Sequence, residues 1–422
     1  MASYDLDSSD GSQQVTQGTS PWVVSQSFDK SQTDAFGRQR VNIPQLITAL
    51  HFTQSGHDFL MNTSTTGTAS ATFSPANSAL RLSLGTASGD SVIRQTKRYV
   101  KYNPGIGYIS TFALAPGAKK TNVRKDWGMF DNLNGCFFHQ SGTALSVVTR
   151  TNASGSPVDT AVDQADWNLD KLDGTGPSGL TLDETKHQLW IIDYIWHGAG
   201  PVRFGVHIGG KLIYVHQVLS GNTLALPFTR SPVLPLRVEV TNTGTSASTT
   251  NLDIVCMTVA SENGASELIP SYAFHGSNGL TAKSVSQTYI PLLSIRPRTT
   301  HNGIINRTPI VPVNFDIFTN ATYLNYRIVL NPTLTGASFA GVNTFSAVEL
   351  DTSATAFTGG TVISDGYTTN TTKGGVKISD TLEQFLLGLN IAGNTADILT
   401  IVAAASANNN PTYATISWSE FQ

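Results

Sequence analysis

Residues 202–218 read VRFGVHIGGKLIYVHQV, and this stretch decides the fold class. Apolar residues recur at every second position on both sides of Gly209-Gly210, which is typical of two half-buried strands. Both residues of a tight hairpin turn need positive φ, which glycine adopts freely. We therefore predict a β-hairpin that pairs Val206 with Ile213, Phe204 with Val215, Gly205 with Tyr214 and Arg203 with His216, with Phe204 and Val206 facing a core.

The same stretch also has the spacing of a phosphate-binding loop, with Gly205 first and Lys211 last. Such a loop needs Ser or Thr after the lysine, and a helix whose N-terminus faces the phosphates. Leu212 follows here, and a strand pattern continues. The hairpin interpretation is therefore preferred, and no cofactor is predicted.

The composition extends the β interpretation to the whole chain of 422 residues. Charged residues make up only 13% and hydrophobic residues 40%, with 37 Gly and 18 Pro. Threonine suits a pleated surface, while Gly, Pro, Asn and Ser serve turns. We predict an all-β protein with two antiparallel, jelly-roll-like β-sandwich domains at 31–265 and 266–422, preceded by an extended N-terminal arm at 1–30. One helix is also predicted, capped by Asp380 and Glu383 and presenting Leu382, Phe385, Leu386 and Leu389 on one face.

Several function classes find no support in the sequence. The net charge of −3 gives no reason to expect nucleic-acid binding. No apolar run is long enough to span a membrane, and the polar, acidic N-terminus does not resemble a signal peptide, so synthesis and folding in the cytoplasm are expected. Cys136 and Cys256 lie among apolar residues and are predicted to be buried, unpaired and unreactive.

Two charged stretches are candidates for binding. In the acidic stretch 163–174, Asp166, Asn168 and Asp170 occupy alternate positions, as calcium ligands often do. The glycine and glutamate of a helix–loop–helix calcium site are missing, so a solvated turn is the preferred interpretation and an irregular cation site stays open. The basic run 94–102 is interpreted as a positively charged strand edge that matches an acidic partner, such as the 163–173 loop of another subunit.

Several sequence motifs stand out: DAFGRQRV at 34–41, YNPG at 102–105, NVRKDWGMFD at 122–131, DWN at 166–168 with GTG at 174–176, GAGPVRFG at 198–205, and ISWSEF at 416–421. Together they resemble a family of virion structural proteins from tailed phages, with relatives in large algal viruses. The family has no catalytic signature, and its members are fibre or capsid-associated proteins.

The resemblance implies a non-enzymatic structural component of a bacteriophage virion, in the head, neck or tail, which self-assembles and docks on other virion proteins through its N-terminal arm. The expected assembly is a homo-oligomer, most simply a trimer, because a chain with few charges can protect its sheet edges against copies of itself. The candidate partner-binding residues are Trp22, Phe36, Arg38 and Arg40.

Two alternatives remain open at this point. The chain could be a carbohydrate-binding receptor-recognition protein of the virion surface, using exposed aromatic residues such as Trp127 or Trp167 to bind a host glycan. It could also be a glycan hydrolase, because the two carboxylates of such an enzyme pair in space and leave no sequence motif.

Overall fold

The computed structural model describes residues 4–6, 13–16, 23–26, 30–41, 43–262, 271–370, 376–377 and 387–422. Three short strands lie in the predicted arm: β1 (Tyr4–Leu6), β2 (Gln13–Thr16) and β3 (Val23–Gln26). They pair in the order β1-β2-β3 as a small antiparallel sheet of their own. The segment predicted as an arm therefore contains local sheet structure.

Fifteen strands, β4 to β18, form the first half of the chain. In chain order their bounds are Gln45–His51, Met61–Thr66, Ser70–Ser74, Ala79–Leu84, Ser91–Thr96, Tyr108–Ala115, Val123–Phe130, Gly135–Ser141, Ala144–Thr151, Val158–Asp163, Gln188–Tyr194, Val202–Ile208, Lys211–Val218, Leu236–Asn242 and Thr250–Ser261. Single turns of 3₁₀ helix occur at Lys30–Gln32, Pro75–Asn77 and Gln164–Asp166.

These strands form two antiparallel sheets that face each other. Sheet I has the order β13-β12-β11-β10-β17-β8-β5, and sheet II the order β16-β15-β14-β9-β18-β7-β6, with β4 also paired to β18. Aromatic side chains fill the space between the sheets: Trp190 lies 4.8 Å, centroid to centroid, from both Trp127 and Phe138. Such edge-to-face contacts add to the free energy gained by burying the rings.

The second half contains β19 to β33. Their bounds are Tyr272–Ser277, Lys283–Val285, Ile290–Pro297, Thr300–His301, Ile304–Ile305, Ile310–Thr319, Leu324–Leu330, Thr333–Thr335, Ala340–Gly341, Val348–Asp351, Ala356–Thr358, Thr361–Thr368, Val376–Lys377, Leu399–Ala405 and Asn410–Glu420. Sheet III joins β19, β33, β24 and β31, with β20 on β33, and sheet IV has the order β27-β28-β21-β32-β25-β30. Two two-stranded ribbons, β22-β23 and β26-β29, complete this half.

Each half has its own hydrophobic core. The first core draws on residues from Leu50 to Val259 and the second on residues from Val285 to Trp418. The all-β, antiparallel sandwich prediction is confirmed. The predicted boundary at 265/266 falls within 263–270, outside the described residues, and stays a prediction.

The hairpin at 202–218 forms as predicted around Gly209-Gly210, whose φ angles are 59° and 82°. Val206 pairs with Ile213 and Gly205 with Tyr214, and Phe204 and Val206 are fully buried. Beyond Gly205 the predicted register is wrong. A bulge shifts the pairing by one residue, so Phe204 lies opposite His216, and Arg203 opposite Gln217. Arg203 lies opposite Asp193 of β14 on its other side, in the charged cluster described below.

The predicted helix falls largely on 378–386, outside the described residues. Leu389, which was predicted to share its apolar face, forms an isolated bridge with Ala396, and Leu387 forms one with Ile310. Both leucines are buried, so the end of the predicted helical face belongs to extended backbone.

The two cysteines are unpaired and differ in environment. Cys136 lies in the first core, where burial raises the pKa of its thiol. Cys256, on β18, is only half-buried, so the prediction of a buried thiol is wrong there; desolvation still raises its pKa. At this point β18 lies between β9 and β4, with Cys256 opposite Ala113 and His51.

Candidate functional site

The segment 30–40 folds into a tight turn organised by Asp34. The Asp34 carboxylate accepts hydrogen bonds from the backbone N–H groups of Phe36 (3.0 Å) and Arg38 (2.9 Å), and pairs with Nε of Arg38 at 2.6 Å. Gly37 has a φ of 78°, which a glycine adopts at low cost. Most of the DAFGRQRV motif is thus a compact unit fixed by one buried carboxylate.

Phe36 and Arg38 lie on the surface of this unit. The Phe36 ring stacks on His197 with centroids 5.8 Å apart, and the Arg38 guanidinium lies 5.6 Å from the Phe36 ring. Arg38 also donates to the carbonyl of Gly105. Phe36 is 46% exposed, so a partner could contact its free face. Trp22, the fourth candidate, lies outside the described residues.

Arg40 points the other way, into the outer face of sheet II. Its guanidinium contacts Asp193 of β14 and Glu262, both at 2.5 Å, and donates to the Tyr214 hydroxyl of β16 at 2.8 Å. Arg203 of β15 pairs with the same Asp193 carboxylate and donates to the carbonyl of Thr33. We call the cluster Arg40, Asp193, Arg203, Tyr214 and Glu262 the clamp.

The clamp balances two arginines against two carboxylates under partial or complete burial. Burial and the neighbouring Asp193 raise the pKa of Glu262 to about 7, although Arg40 opposes this shift. Burial raises the pKa of the Tyr214 hydroxyl, and Asp193 adds to the shift. An uncompensated buried charge is costly, so this arrangement fixes Arg40, and with it segment 30–40, to the body. The structure places Arg40 in a buried attachment and Phe36 and Arg38 at the surface above it.

Three of the sequence motifs meet at this point. The turn of DAFGRQRV contacts Gly105 of the YNPG motif through Arg38, and Arg203 belongs to GAGPVRFG. The backbone N–H of His197, just before that third motif, donates to the hydroxyl of Tyr102 at 3.1 Å. The sequence predicted binding residues in the first motif, but it did not predict their partners Asp193, Glu262 and Tyr214.

A second charged cluster lies on the outer face of sheet I and was missed from the sequence. Asp126 of β10 lies opposite Glu239 of β17 and His139 of β11. Arg124 pairs with both acids, Arg237 pairs with Glu239 at 2.5 Å, and His139 Nδ1 lies 2.5 Å from Asp126 Oδ1. The sequence signal for this cluster was the spacing of charged residues two apart, at 124 and 126 and at 237 and 239. We call the cluster of Arg124, Asp126, His139, Arg237 and Glu239 the ladder.

The pKa values of the two ladder acids shift in opposite directions, although both acids are buried. Burial raises the pKa of Asp126, with His139 and Arg124 opposing the shift. At Glu239 burial disfavours the charge, but Arg237 and Arg124 outweigh it and lower the pKa. Opposed carboxyl pKa values can mark an acid–base pair. Here arginines already neutralise the acids, and both are buried, which suits structural cross-linking of the strands.

The prediction of an exposed basic edge at 94–102 is wrong. Arg94 is buried and pairs with Asp58 at 2.7 Å. Arg98 donates to the carbonyl of Ile47, and the Lys101 ammonium lies 3.3 Å from the centroid of the Phe421 ring. The strand packs against neighbouring segments on both sides, so its cations are used within the chain.

The acidic stretch 163–174 folds as a series of turns. The Asp170 carboxylate accepts the N–H groups of Leu172 and Ser178, and Asp163 accepts the hydroxyl of Ser146. Within the described ranges, no three His, Cys, Asp or Glu residues lie close enough together to hold a metal ion.

The two tryptophans proposed for sugar stacking are buried, so that assignment is wrong. Trp127 lies in the aromatic core of the first half, and Trp167 is also covered and donates its indole N–H to the carbonyl of Val162. Their apolar rings complete the core, which the sequence neighbours alone did not show.

A cleft of about 830 Å³, lined by both polar and apolar residues, lies between the two halves. The first half contributes Asn134, Asn152 and Arg230, and the second contributes Asn302 and Arg307. The Asn134 amide oxygen accepts the backbone N–H groups of Asn152 and Arg230, which orders one wall. Arg307 crosses between the halves, with its guanidinium 4.8 Å from the Tyr99 ring.

No protein-family model matches the sequence, and a search of curated proteins finds no match. Solved structures give distant similarities. A legume lectin-like domain from Entamoeba histolytica has 12% identity and a TM-score of 0.28, covering 47% of this chain and 89% of its own. A β-1,3-glucanase from Mycobacterium marinum has 11% identity and a TM-score of 0.34, covering 51% and 98%. The Crh5 transglycosylase in complex with NAG has 12% identity and a TM-score of 0.33, covering 54% and 90%. Similarities at this level carry no inference about activity.

No helix among the described residues is long and apolar enough to cross a membrane.

Proposed function

We propose that this chain is a non-enzymatic structural protein of a bacteriophage particle, which assembles with copies of itself and attaches to other particle proteins through its N-terminal segment. The observation that carries the proposal is the clamp. It fixes segment 30–40 to sheet II by buried ion pairs. A partner protein bound by residues 1–29 would therefore be firmly attached to the first sandwich.

An apolar strip directly follows the clamp. Val41, Ile43 and Leu46 are 81%, 87% and 68% exposed, and no charged residue occurs between Arg40 and His51. Among the described strands, β4 pairs only with β18, and Arg98 donates to the carbonyl of Ile47. Exposed aliphatic groups on and next to an edge strand are typical of an interface. We assign this strip to contact between copies of the chain, and a closed trimer is the assembly we favour.

The charged clusters support a non-enzymatic role. A glycosidase of the usual kind needs two carboxyl groups on either side of a substrate site. In the clamp and the ladder, each buried carboxylate is held by at least one arginine. These acids therefore serve as cross-links between chain segments.

Light scattering on the purified full chain tests the assembly. We expect a trimer for the native sequence and a smaller species for Leu46→Lys, which places a charge on the strip. Leu280→Lys is the matched control, because Leu280 is also highly exposed but lies in the second half, and it should leave the size unchanged. A monomeric native chain, or a Leu46→Lys variant of unchanged size, would contradict the assignment.

The arm is tested by deleting residues 2–20. The shortened chain should fold and assemble but fail to join particles, because a short segment that orders on a partner gains affinity when several copies bind together. Normal incorporation of the shortened chain would contradict anchoring by the arm.

The cleft between the two halves supports a second candidate function, recognition of a host surface glycan. Its walls offer amide and guanidinium groups, which suit the hydroxyl and carboxylate groups of a polysaccharide. Ligand-observed NMR with host polysaccharide should then show binding that Arg230→Ala weakens, while Arg38→Ala, outside the cleft, does not. Binding that is the same in both variants would place the glycan elsewhere.

A further inference from the structure

A lysine, a glutamine and a glutamate meet at one end of the first sandwich. Lys125 of β10 and Gln140 of β11 lie directly opposite each other, and both side chains point between the sheets. They are 3% and 2% exposed. Directly opposed residues of an antiparallel pair have Cβ atoms about 5 Å apart. The two side chains therefore run side by side in a dry environment.

The two side chains end at the carbonyls of two consecutive residues. Lys125 Nζ donates to the carbonyl of Pro116, and Gln140 Nε2 donates to the carbonyl of Gly117 at 2.9 Å. Gln140 Nε2 also donates to Oε2 of Glu184 at 2.6 Å. The backbone N–H of Gly117 donates to the carbonyl of Glu184, which closes the loop over the site. The amine, the carboxamide and the carboxylate are thus gathered within one small enclosure.

Lys125 has no ion pair in the described part of the chain, whereas Glu184 Oε1 pairs with Lys119 at 3.0 Å. Burial, with a smaller effect from Lys120, lowers the pKa of the Lys125 amine to about 8, although Glu184 opposes this shift. A usable fraction of the amine is therefore neutral near physiological pH, and a neutral amine is a nucleophile.

We propose that Lys125 and Gln140 join through an intramolecular isopeptide bond, with Glu184 positioning the carboxamide. The Nζ lone pair attacks Cδ of Gln140, and a C–N bond forms. The attacking nitrogen gives up a proton and Nε2 takes one up, while Oε2 of Glu184 holds Nε2 by its hydrogen bond. The bond between Cδ and Nε2 then breaks, and ammonia leaves. No oxidant, reductant or cofactor is consumed.

The bond would tie β10 to β11 covalently beside the aromatic core. It requires only side chains of this protein and the proximity that the fold enforces, because holding reactants together greatly raises their effective concentration. It does not depend on the proposed function.

The intact mass of the native full-length protein tests the proposal. We expect the chain to be lighter than its sequence by one ammonia, and a digest to contain one branched peptide that joins Lys125 to Gln140. Lys125→Arg should restore the full mass, and Glu184→Gln should slow or abolish the loss. Lys120→Arg is the matched control and should keep it.

A native protein of full sequence mass, with Lys125 and Gln140 recovered in separate unmodified peptides, would overturn the proposal whatever the variants do. An ammonia loss that maps to another residue would overturn it equally.

Discussion

The clamp and the ladder use the same chemistry on the outer faces of two opposed sheets, with different results. The ladder joins residues of β10, β11 and β17, which already neighbour one another in sheet I. The clamp joins three adjacent strands of sheet II to Arg40, more than 150 residues away along the chain. The ladder therefore reinforces pairing that the backbone has made, whereas the clamp creates an attachment that the backbone does not provide.

This difference shows that two largely buried clusters of charged residues can have different structural roles. Replacing a buried ion cluster by apolar side chains often costs little, but removing one partner leaves a buried charge. When a ladder residue is replaced, β10, β11 and β17 keep their backbone hydrogen bonds. When a clamp residue is replaced, the contacts that hold segment 30–40 are weakened, so attachment and stability are lost together.

The largest expected effect is that of Arg40→Met. This change leaves Asp193 and Glu262 facing each other with only Arg203 nearby, and we expect a loss of about 3 kcal/mol in the free energy of unfolding. Hydrogen exchange at residues 30–40 should also rise strongly. Arg237→Met in the ladder is the matched control, which should lower stability while segment 30–40 stays protected. Equal protection of the segment in both variants would remove the distinction between clamp and ladder.

The pH dependence of stability gives the next effect. The pKa of Glu262 is about 7 in the folded chain and lies near its usual value of 4.5 when unfolded. Between these values the folded state binds more protons, so this group's contribution is fully present below about pH 4.5 and is lost as the pH rises through 7. The loss is on the order of 3 kcal/mol.

Denaturation measured from pH 4.5 to 8 in the native chain and in Glu262→Gln checks this expectation. In Glu262→Gln, the free energy of unfolding should not show the decrease that ionisation of Glu262 causes in the native chain. A native chain whose stability rises across this range, with the variant following the same curve, would show that Glu262 is ionised throughout.

A smaller effect is expected at Gly209-Gly210. This turn joins β15 and β16, which carry the clamp residues Arg203 and Tyr214. Gly210→Val should cost about 1–3 kcal/mol, because φ near 82° strains a β-branched residue while nothing lies within 4 Å of the added Cβ. Gly210→Asn is the control, since asparagine tolerates this conformation better. Thermal unfolding of both variants measures the difference. If valine and asparagine cost the same, backbone strain is not the cause.

The smallest effect is expected for Arg38→Ala, below about 1 kcal/mol, because its pair with Asp34 is half-exposed and Asp34 keeps its backbone hydrogen bonds. The same variant should weaken joining to particles if the surface of Phe36 and Arg38 contacts a partner. A stability loss as large as that of Arg40→Met would place Arg38 within the clamp.

Local pattern predicted much of the fold. Alternating apolar residues and Gly209-Gly210 were sufficient for the hairpin, because strand period and turn conformation are properties of neighbouring residues. The register beyond Gly205 was not predictable, since a bulge depends on how the shifted residues, here Val215 and His216, pack within the whole sheet. The exposure of Trp127 and Trp167 was misjudged for the same reason.

For the site, the sequence by itself determined that the chain is all-β and drew attention to Phe36, Arg38 and Arg40. Only the tertiary structure decided which of these faces solvent and which is buried. Arg40 became an attachment because strands β14 and β16 and the residue after β18 bring Asp193, Tyr214 and Glu262 to one point. Pairing over such separations is set by sheet order and register, which depend on the packing of the whole core and not on any single stretch of sequence.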